Sequence, residues 1–253
     1  MITRNELRYY SSLRSKKHRK VENKFIVEGQ KSVFEGLNSS YKCEVLFMTN
    51  KFVANNKLKI AERSKNIEKV FTIKQKEFEK LVDTETPQGI AAIFVKPNLE
   101  YSINAFENEK LIVMLDNISD PGNLGTIFRN CDWFGVKDVL LSNNIVDHTN
   151  PKVIRASMGS LFHIDIYENV DSAKLSELKS EGFEILCADI KGENIFNYKI
   201  NKKIVLILSS ESHGPSEEVK IISDKKISIP KIGNAESLNV ASASAILLAE
   251  LTK

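Results

Sequence analysis

Six short apolar runs rich in β-branched residues punctuate the second half of the chain, at residues 111–115, 139–141, 164–166, 184–188, 204–208 and 227–229. Their spacing constrains the fold more than any other feature, because such runs suit strands buried on both faces of a parallel sheet, with helical crossovers between them. The first part repeats the pattern. Strand-like runs at 25–27, 44–48, 69–72 and 90–95 alternate with helical stretches at 30–37, 57–65 and 74–82. From 97 to 108 the chain turns polar, carries Pro97 and loses its period, which marks a linker. The expectation is an α/β protein of two units, a smaller one over 1–96 and a larger parallel-sheet unit over 109–253, each with helices packed on a parallel sheet.

Composition removes several classes. Hydrophobic residues make up 42% and charged residues 27%, which is ordinary for a folded protein and unlike a disordered or fibrous one. The longest apolar runs, such as 204–208 and 245–249, fall far short of the roughly 18 residues that would span a bilayer. The start is polar and basic, so a cytoplasmic protein without a membrane anchor is expected. Cys43, Cys131 and Cys187 are widely spaced, with no C-x-x-C or H-x-x-x-H pattern. They read as small core residues, and no metal is implied.

Net charge is only +3, but its distribution is uneven. Met1 to Lys24 holds eight basic residues against two acidic ones, while the remainder holds 28 against 31. A basic block that includes Arg14, Lys16, Lys17, Arg19, Lys20 and Lys24, with Tyr9, Tyr10 and His18 in or beside it, is the footprint of a segment that meets nucleic-acid phosphate. A solvated basic helix followed by a charged loop is the other reading of this block.

Open parallel sheets bind ligands at the carboxyl ends of their strands, so the loops after the six runs are where function is sought. After 111–115 the chain reads Asp116-Asn117-Ile118-Ser119-Asp120-Pro121-Gly122-Asn123-Leu124-Gly125-Thr126-Ile127-Phe128-Arg129, a turn followed by a helix start. Gly135 suits that helix's C-terminal cap. Ile127, Cys131 and Phe134 share its buried face, whereas Arg129 points away beside a polar loop. A helix start bearing Gly and Asn, with an arginine one turn in, suits a phosphate. After 204–208 comes Ser209-Ser210-Glu211-Ser212-His213-Gly214-Pro215, and after 227–229 comes Pro230-Lys231-Ile232-Gly233-Asn234-Ala235-Glu236-Ser237-Leu238-Asn239-Val240, opening into a helix of small residues. Three polar loops at parallel strand ends read as one composite site.

These segments resemble the three motifs of the SpoU (TrmH-like) RNA ribose 2′-O-methyltransferases of the SPOUT superfamily, in the right order. Asp116-Asn117, Asp120-Pro121, Asn123, Gly125 and Arg129 resemble the first motif. Glu211 and Gly214 resemble the second, and Ile229-Pro230, Gly233 and Ser237-Leu238-Asn239-Val240 the third. Residues 151–160 are similar to the family's helix between the first two motifs, and 24–29 to the start of the small RNA-recognition domain many members carry in front. Ser209 stands where the family's second motif has glycine, so a Cβ and a hydroxyl enter a place where backbone approaches cofactor.

The resemblance implies a parallel-sheet domain tied in a deep trefoil knot, S-adenosylmethionine as cofactor, and a homodimer. It assigns catalysis to Asn123, Arg129, Glu211, Ser237 and Asn239, and cofactor contacts to Ala188, Ser209, Ser210, Gly214, Ile229 and Leu238. The implied reaction is methylation of a ribose 2′-hydroxyl in structured RNA. Ribosomal RNA is expected before transfer RNA, and an RNA-binding knot protein without turnover is the rival. No G-x-G-x-x-G follows a strand and no P-loop pattern occurs. His163 and His213 read as structural.

Overall fold

In the computed structural model, which describes residues 2–63, 67–210 and 214–253, each run read above as strand-like forms or overlaps a strand. The first sheet contains β1 (Lys24–Glu28), β2 (Cys43–Thr49), β3 (Lys69–Ile73) and β4 (Ile90–Val95), in the order β1-β4-β2-β3. It is not parallel throughout. β2 and β3 run parallel, but β4 is antiparallel to both β1 and β2. The reason lies in what burial encodes: β4 is a central strand with both faces covered, and its continuous apolar run reads the same in either direction.

Helices α1 (Arg4–Ser12), α2 (Lys16–Glu22), α3 (Gln30–Asn38), α4 (Asn50–Arg63) and α5 (Gln75–Leu81) accompany this sheet. α1 starts in a capping box. Thr3 Oγ1 accepts from Glu6 N at 3.2 Å, and Glu6 Oε2 accepts from Thr3 N at 2.9 Å. Tyr10 and Leu13 then pack with Phe47, Phe78, Leu81 and Ile93 in one core. α4 begins seven residues before the expected stretch and changes direction at Asn56, whose φ is −133°.

The second sheet is fully parallel, in the order β10-β8-β9-β5-β6-β7. Its chain order is β5 (Leu111–Asp116), α6 (Pro121–Trp133), β6 (Asp138–Leu141), α7 (Pro151–Ser157), β7 (Asp165–Tyr167), α8 (Ser172–Ser180), β8 (Phe183–Asn194), β9 (Lys203–Ser209), α9 (Glu217–Ile222), β10 (Lys225–Ser228) and α10 (Val240–Leu251). Ile112, Met114, Ile185, Cys187, Val205 and Ile207 of the sheet share a core with Leu175, Leu178 and Val219. Phe106, inside the stretch expected as a linker, belongs to this core. It sits in a 3-10 turn and meets Tyr167 edge-on at 5.0 Å. A single anchoring aromatic in a polar run has no period to betray it.

β8 is longer than its apolar run. Lys226 pairs with Cys187 but Ile227 with Glu193, so residues 188–192 bulge out. At the far side of the bulge Gly192 lies against β10, and a Cβ there would stand 2.5 Å from the Ile227 backbone N and C atoms. No larger residue fits such a crossing. Among the described residues, no helix is long and apolar enough to cross a membrane. Burial pushes the thiols up, to about 12 for Cys43 and Cys131 and about 11 for Cys187, as inert packing residues require.

The two compact units are Met1–Asn98 with Asp147–His163, and Leu99–Val146 with Ile164–Lys253. The segment that carries α7 therefore lies with the first unit and not with the 109–253 unit drawn from the sequence. Its residues explain why. Phe162 joins Phe25, Tyr41 and Phe94 in an aromatic cluster, and Arg155 Nη1 pairs with Glu28 Oε1 at 2.9 Å. His163 Nε2 lies 3.2 Å from Glu35 Oε2, the structural role expected of it. Gly36 keeps space for this contact, since a Cβ there would lie 2.5 Å from Phe94 and 2.7 Å from Phe162.

Candidate active site

The site begins where β5 and β9 end in register, Asp116 opposite Ser209. After Asp116 the backbone turns through Asn117 at φ +57°, a conformation asparagine tolerates better than most residues. α6 then starts with Asp120 as N-cap, its Oδ1 accepting from Asn123 N at 2.7 Å, and with Pro121 in the first turn. Leu124, Ile127, Phe128 and Cys131 face the core. Arg129 is exposed, and among the described residues nothing pairs with its guanidinium.

α10 packs against α6. Asn239 is its N-cap: Oδ1 accepts from Ala241 N and Ser242 N at 3.0 and 3.3 Å, and Nδ2 donates to Asn123 Oδ1 at 2.9 Å. One turn on, Asn130 Nδ2 donates to Ala241 O at 2.9 Å and to Ser244 Oγ at 2.8 Å. The small residues of α10 thus serve close approach to α6, with Ser244 fully buried between them.

The loop after β9 is tied at both ends. Gly214, at φ +63°, donates its N–H to Ser210 O at 2.8 Å, and Ser216 N donates to Asp116 Oδ2 at 2.8 Å. Glu211 and His213 lie outside the described residues. Ser209 Oγ is buried and has no hydrogen-bond partner among the described residues. Ser237 and Leu238 lie in an exposed stretch from Lys231 to Asn239, Ile229 is half-buried beside it, and half-buried Ala188 stands where β8 leaves its first pairing with β10. The structure therefore brings Asn123 and Asn239 together by a direct hydrogen bond, and places Arg129 on the same helix as Asn123.

The basic residues divide. Arg19 is a correction: its side chain is 4% exposed, its Nη2 pairs with Asp147 Oδ2 at 2.6 Å, and Nη1 donates to Leu13 O and Arg14 O. Burial opposes ionisation of Asp147, yet the hydrogen bonds from Thr149 and Arg19 hold its carboxyl below the usual range. A guanidinium so occupied is a structural brace and does not meet phosphate. Arg14 pairs with Asp83 at 2.7 Å and Lys24 with Glu44 at 2.6 Å. Lys16, Lys17 and Lys20 stay exposed, as do Arg4 and Arg8.

Three residues that matter to this geometry, Asn130, Gly192 and Ser216, were not singled out from the sequence, and Asp116 was placed in the first motif without a role of its own. Asp116 had a signal, a carboxylate at the end of an otherwise apolar run. Asn130 and Ser216 had none, because their partners are more than 90 residues away.

Comparison with known proteins agrees with this geometry. Residues 110–249 match the model of the SpoU rRNA Methylase family, and residues 4–92 match the MRM3-like substrate binding domain. Over 243 residues the chain is 29% identical to the 23S rRNA (guanosine(2553)-2′-O)-methyltransferase RlmP of Bacillus subtilis, covering 96% of this chain and 94% of that one. A TrmH-family chain from Porphyromonas gingivalis superimposes with a TM-score of 0.87 at 32% identity, covering 99% and 98%. An AdoMet-bound rRNA methyltransferase from Sinorhizobium meliloti superimposes at 0.83 with 27% identity, covering 99% and 95%.

Proposed function

The chain belongs to the SpoU rRNA methylase family, and from that membership we propose that it transfers the methyl group of S-adenosylmethionine to a ribose 2′-hydroxyl of ribosomal RNA. The relatives named for rRNA 2′-O-methylation and for bound AdoMet support this reading. So does one observation within the chain: an exposed arginine that pairs with nothing among the described residues, on a helix whose first turn is fixed to α10 by the Asn123–Asn239 hydrogen bond.

The residues present fit the cofactor. Ser209 Oγ is a buried hydroxyl at a strand end with no partner among the described residues, which suits a ligand that offers it a hydrogen bond. Ser209, Ser210 and Gly214 of the second loop, Ile229 and Leu238 of the third, and Ala188 beyond the first part of β8 would hold it. When bound, S-adenosylmethionine would supply a sulfonium methyl that the 2′-oxygen attacks in line, with S-adenosylhomocysteine leaving and the hydroxyl proton passing to solvent.

Arg129 keeps its proton in nearly any protein setting, so it is not the base. It clamps the phosphate beside the target ribose and stabilises charge developing on the 2′-oxygen. Asn123, held by Asn239, orients the nucleotide against Arg129. Ser237 adds a hydroxyl to the site, and a part for Glu211 in catalysis follows from its place in the second motif. Positioning and preorganised charge supply the acceleration, with no metal required of these residues.

The first unit addresses the RNA, with Lys16, Lys17 and Lys20 of α2 and Arg4 and Arg8 of α1 meeting phosphate. The protein works as a homodimer through the α6–α10 pair, where Trp133 is 81% exposed and Ile246 lies open. The trefoil knot belongs to the same reading. It acts in the cytoplasm.

Labelled methyl transfer to ribosomal RNA by wild-type and Arg129→Ala protein tests the reading. The variant should lose turnover while binding S-adenosylmethionine as wild type does. Near-normal single-turnover methylation by the variant would remove Arg129 from the chemistry.

A further inference from the structure

Asp116 ends a strand in which every residue is buried, and it is itself 3% exposed. A carboxylate there loses its hydration, a large cost that an apolar residue would avoid. Among the described residues Asp116 accepts one hydrogen bond, from Ser216 N at 2.8 Å. A carboxylate kept at a buried strand end calls for an explanation beyond stability.

The bond sits at a consequential place. Ser216 is the N-cap of α9 and ends the loop that starts at Ser210. Across the strand pair Asp116 is in register with Ser209, whose buried hydroxyl has no hydrogen-bond partner among the described residues. Gly214 N donates to Ser210 O at 2.8 Å, and the Asp116–Ser216 bond ties the backbone just beyond Gly214 to β5, the strand that leads into α6 and Arg129.

Resting on the methyltransferase reading, we propose that Asp116 is a positioning residue for the cofactor: its carboxylate latches Ser216 to the end of β5, so that Gly214, hydrogen-bonded to Ser210, and Ser209 beside Asp116 face the ligand preassembled. Without the latch Gly214 loses its tie to β5, and affinity falls by the fraction of time it spends correctly placed.

The donor can be removed without touching Asp116. Ser216 has φ −61° and ψ 158°, angles a proline adopts while lacking the N–H. Ser216→Ala keeps the N–H and loses only a long 3.4 Å side-chain cap to Val219 N. Calorimetric titration of full-length protein with S-adenosylmethionine and with S-adenosylhomocysteine should give wild-type affinity for Ser216→Ala. Ser216→Pro should bind both ligands at least tenfold more weakly. It should also show a raised KM for S-adenosylmethionine, a kcat near wild type at saturation, and unchanged affinity for ribosomal RNA. Should Ser216→Pro not fold, Asp116→Asn, which retains an acceptor oxygen, should bind at least tenfold more tightly than Asp116→Ala. Equal affinities within either pair would overturn the latch alone. A wild-type protein that binds neither ligand would overturn the methyltransferase reading, and the latch with it.

Discussion

Asn239 joins two motifs through one side chain: its Nδ2 donates to Asn123 Oδ1 at 2.9 Å while its Oδ1 caps the first turn of α10. The two backbone donors fix the orientation of the amide, since only its oxygen can accept them. The helix that carries Arg129 and the helix that follows the third motif are thereby coupled at their starts.

Removing that side chain should cost both functions. Asn239→Ala loses a cap and the side-chain hydrogen bond to Asn123, an expected destabilisation of about 1–2 kcal/mol in urea unfolding. Asn239→Asp keeps the cap, and Asn123 can turn its amide to donate, so its loss should be well under half as large. Equal losses would mean the cap contributes little.

Two sets of basic residues should separate by assay. Arg19→Ala strands Asp147 with only Thr149 as donor and should destabilise by about 3 kcal/mol. Replacing Lys16, Lys17 and Lys20 by Gln should leave unfolding unchanged. It should weaken RNA binding and flatten the slope of log K against log salt by about 2, as three phosphate contacts fewer would. A triple variant with an unchanged slope would move the RNA surface elsewhere.

Asp138 gives a pH signature. Burial, with Glu109 and Asp165 nearby, pushes its carboxyl from 3.8 up to about 6. The raised value means the fold disfavours the ionised form, so a penalty is absent below about pH 4, grows between pH 4 and 6, and is complete above. Asp138→Asn, which leaves Tyr167 an acceptor, should stabilise the protein by about 1 kcal/mol at pH 7.5 and by nothing at pH 4. A constant difference across that range would assign the effect to packing.

The strands and the three loops were legible in the sequence because burial on both faces and turn chemistry are local signals. Strand direction was not: β4 lies antiparallel, and nothing in Ile90–Val95 distinguishes that from the parallel alternative. Nor was the docking of Asp147–His163, since Phe162 and Arg155 find Phe25 and Glu28 across more than 100 positions. Arg19 misled for the same reason. In sequence it is one cation in a basic run, and only tertiary structure supplies Asp147. Asn123 and Asn239 were read as site residues from their motifs, but their mutual bond spans 116 positions and belongs to the fold.

The most direct measurement is nucleoside analysis of ribosomal RNA incubated with the purified protein and methyl-labelled S-adenosylmethionine. Label should appear in a 2′-O-methylated nucleoside in wild-type reactions and be absent with Arg129→Ala. Label on a base, or none from a wild-type protein that binds both the RNA and the cofactor, would contradict ribose methylation by this chain.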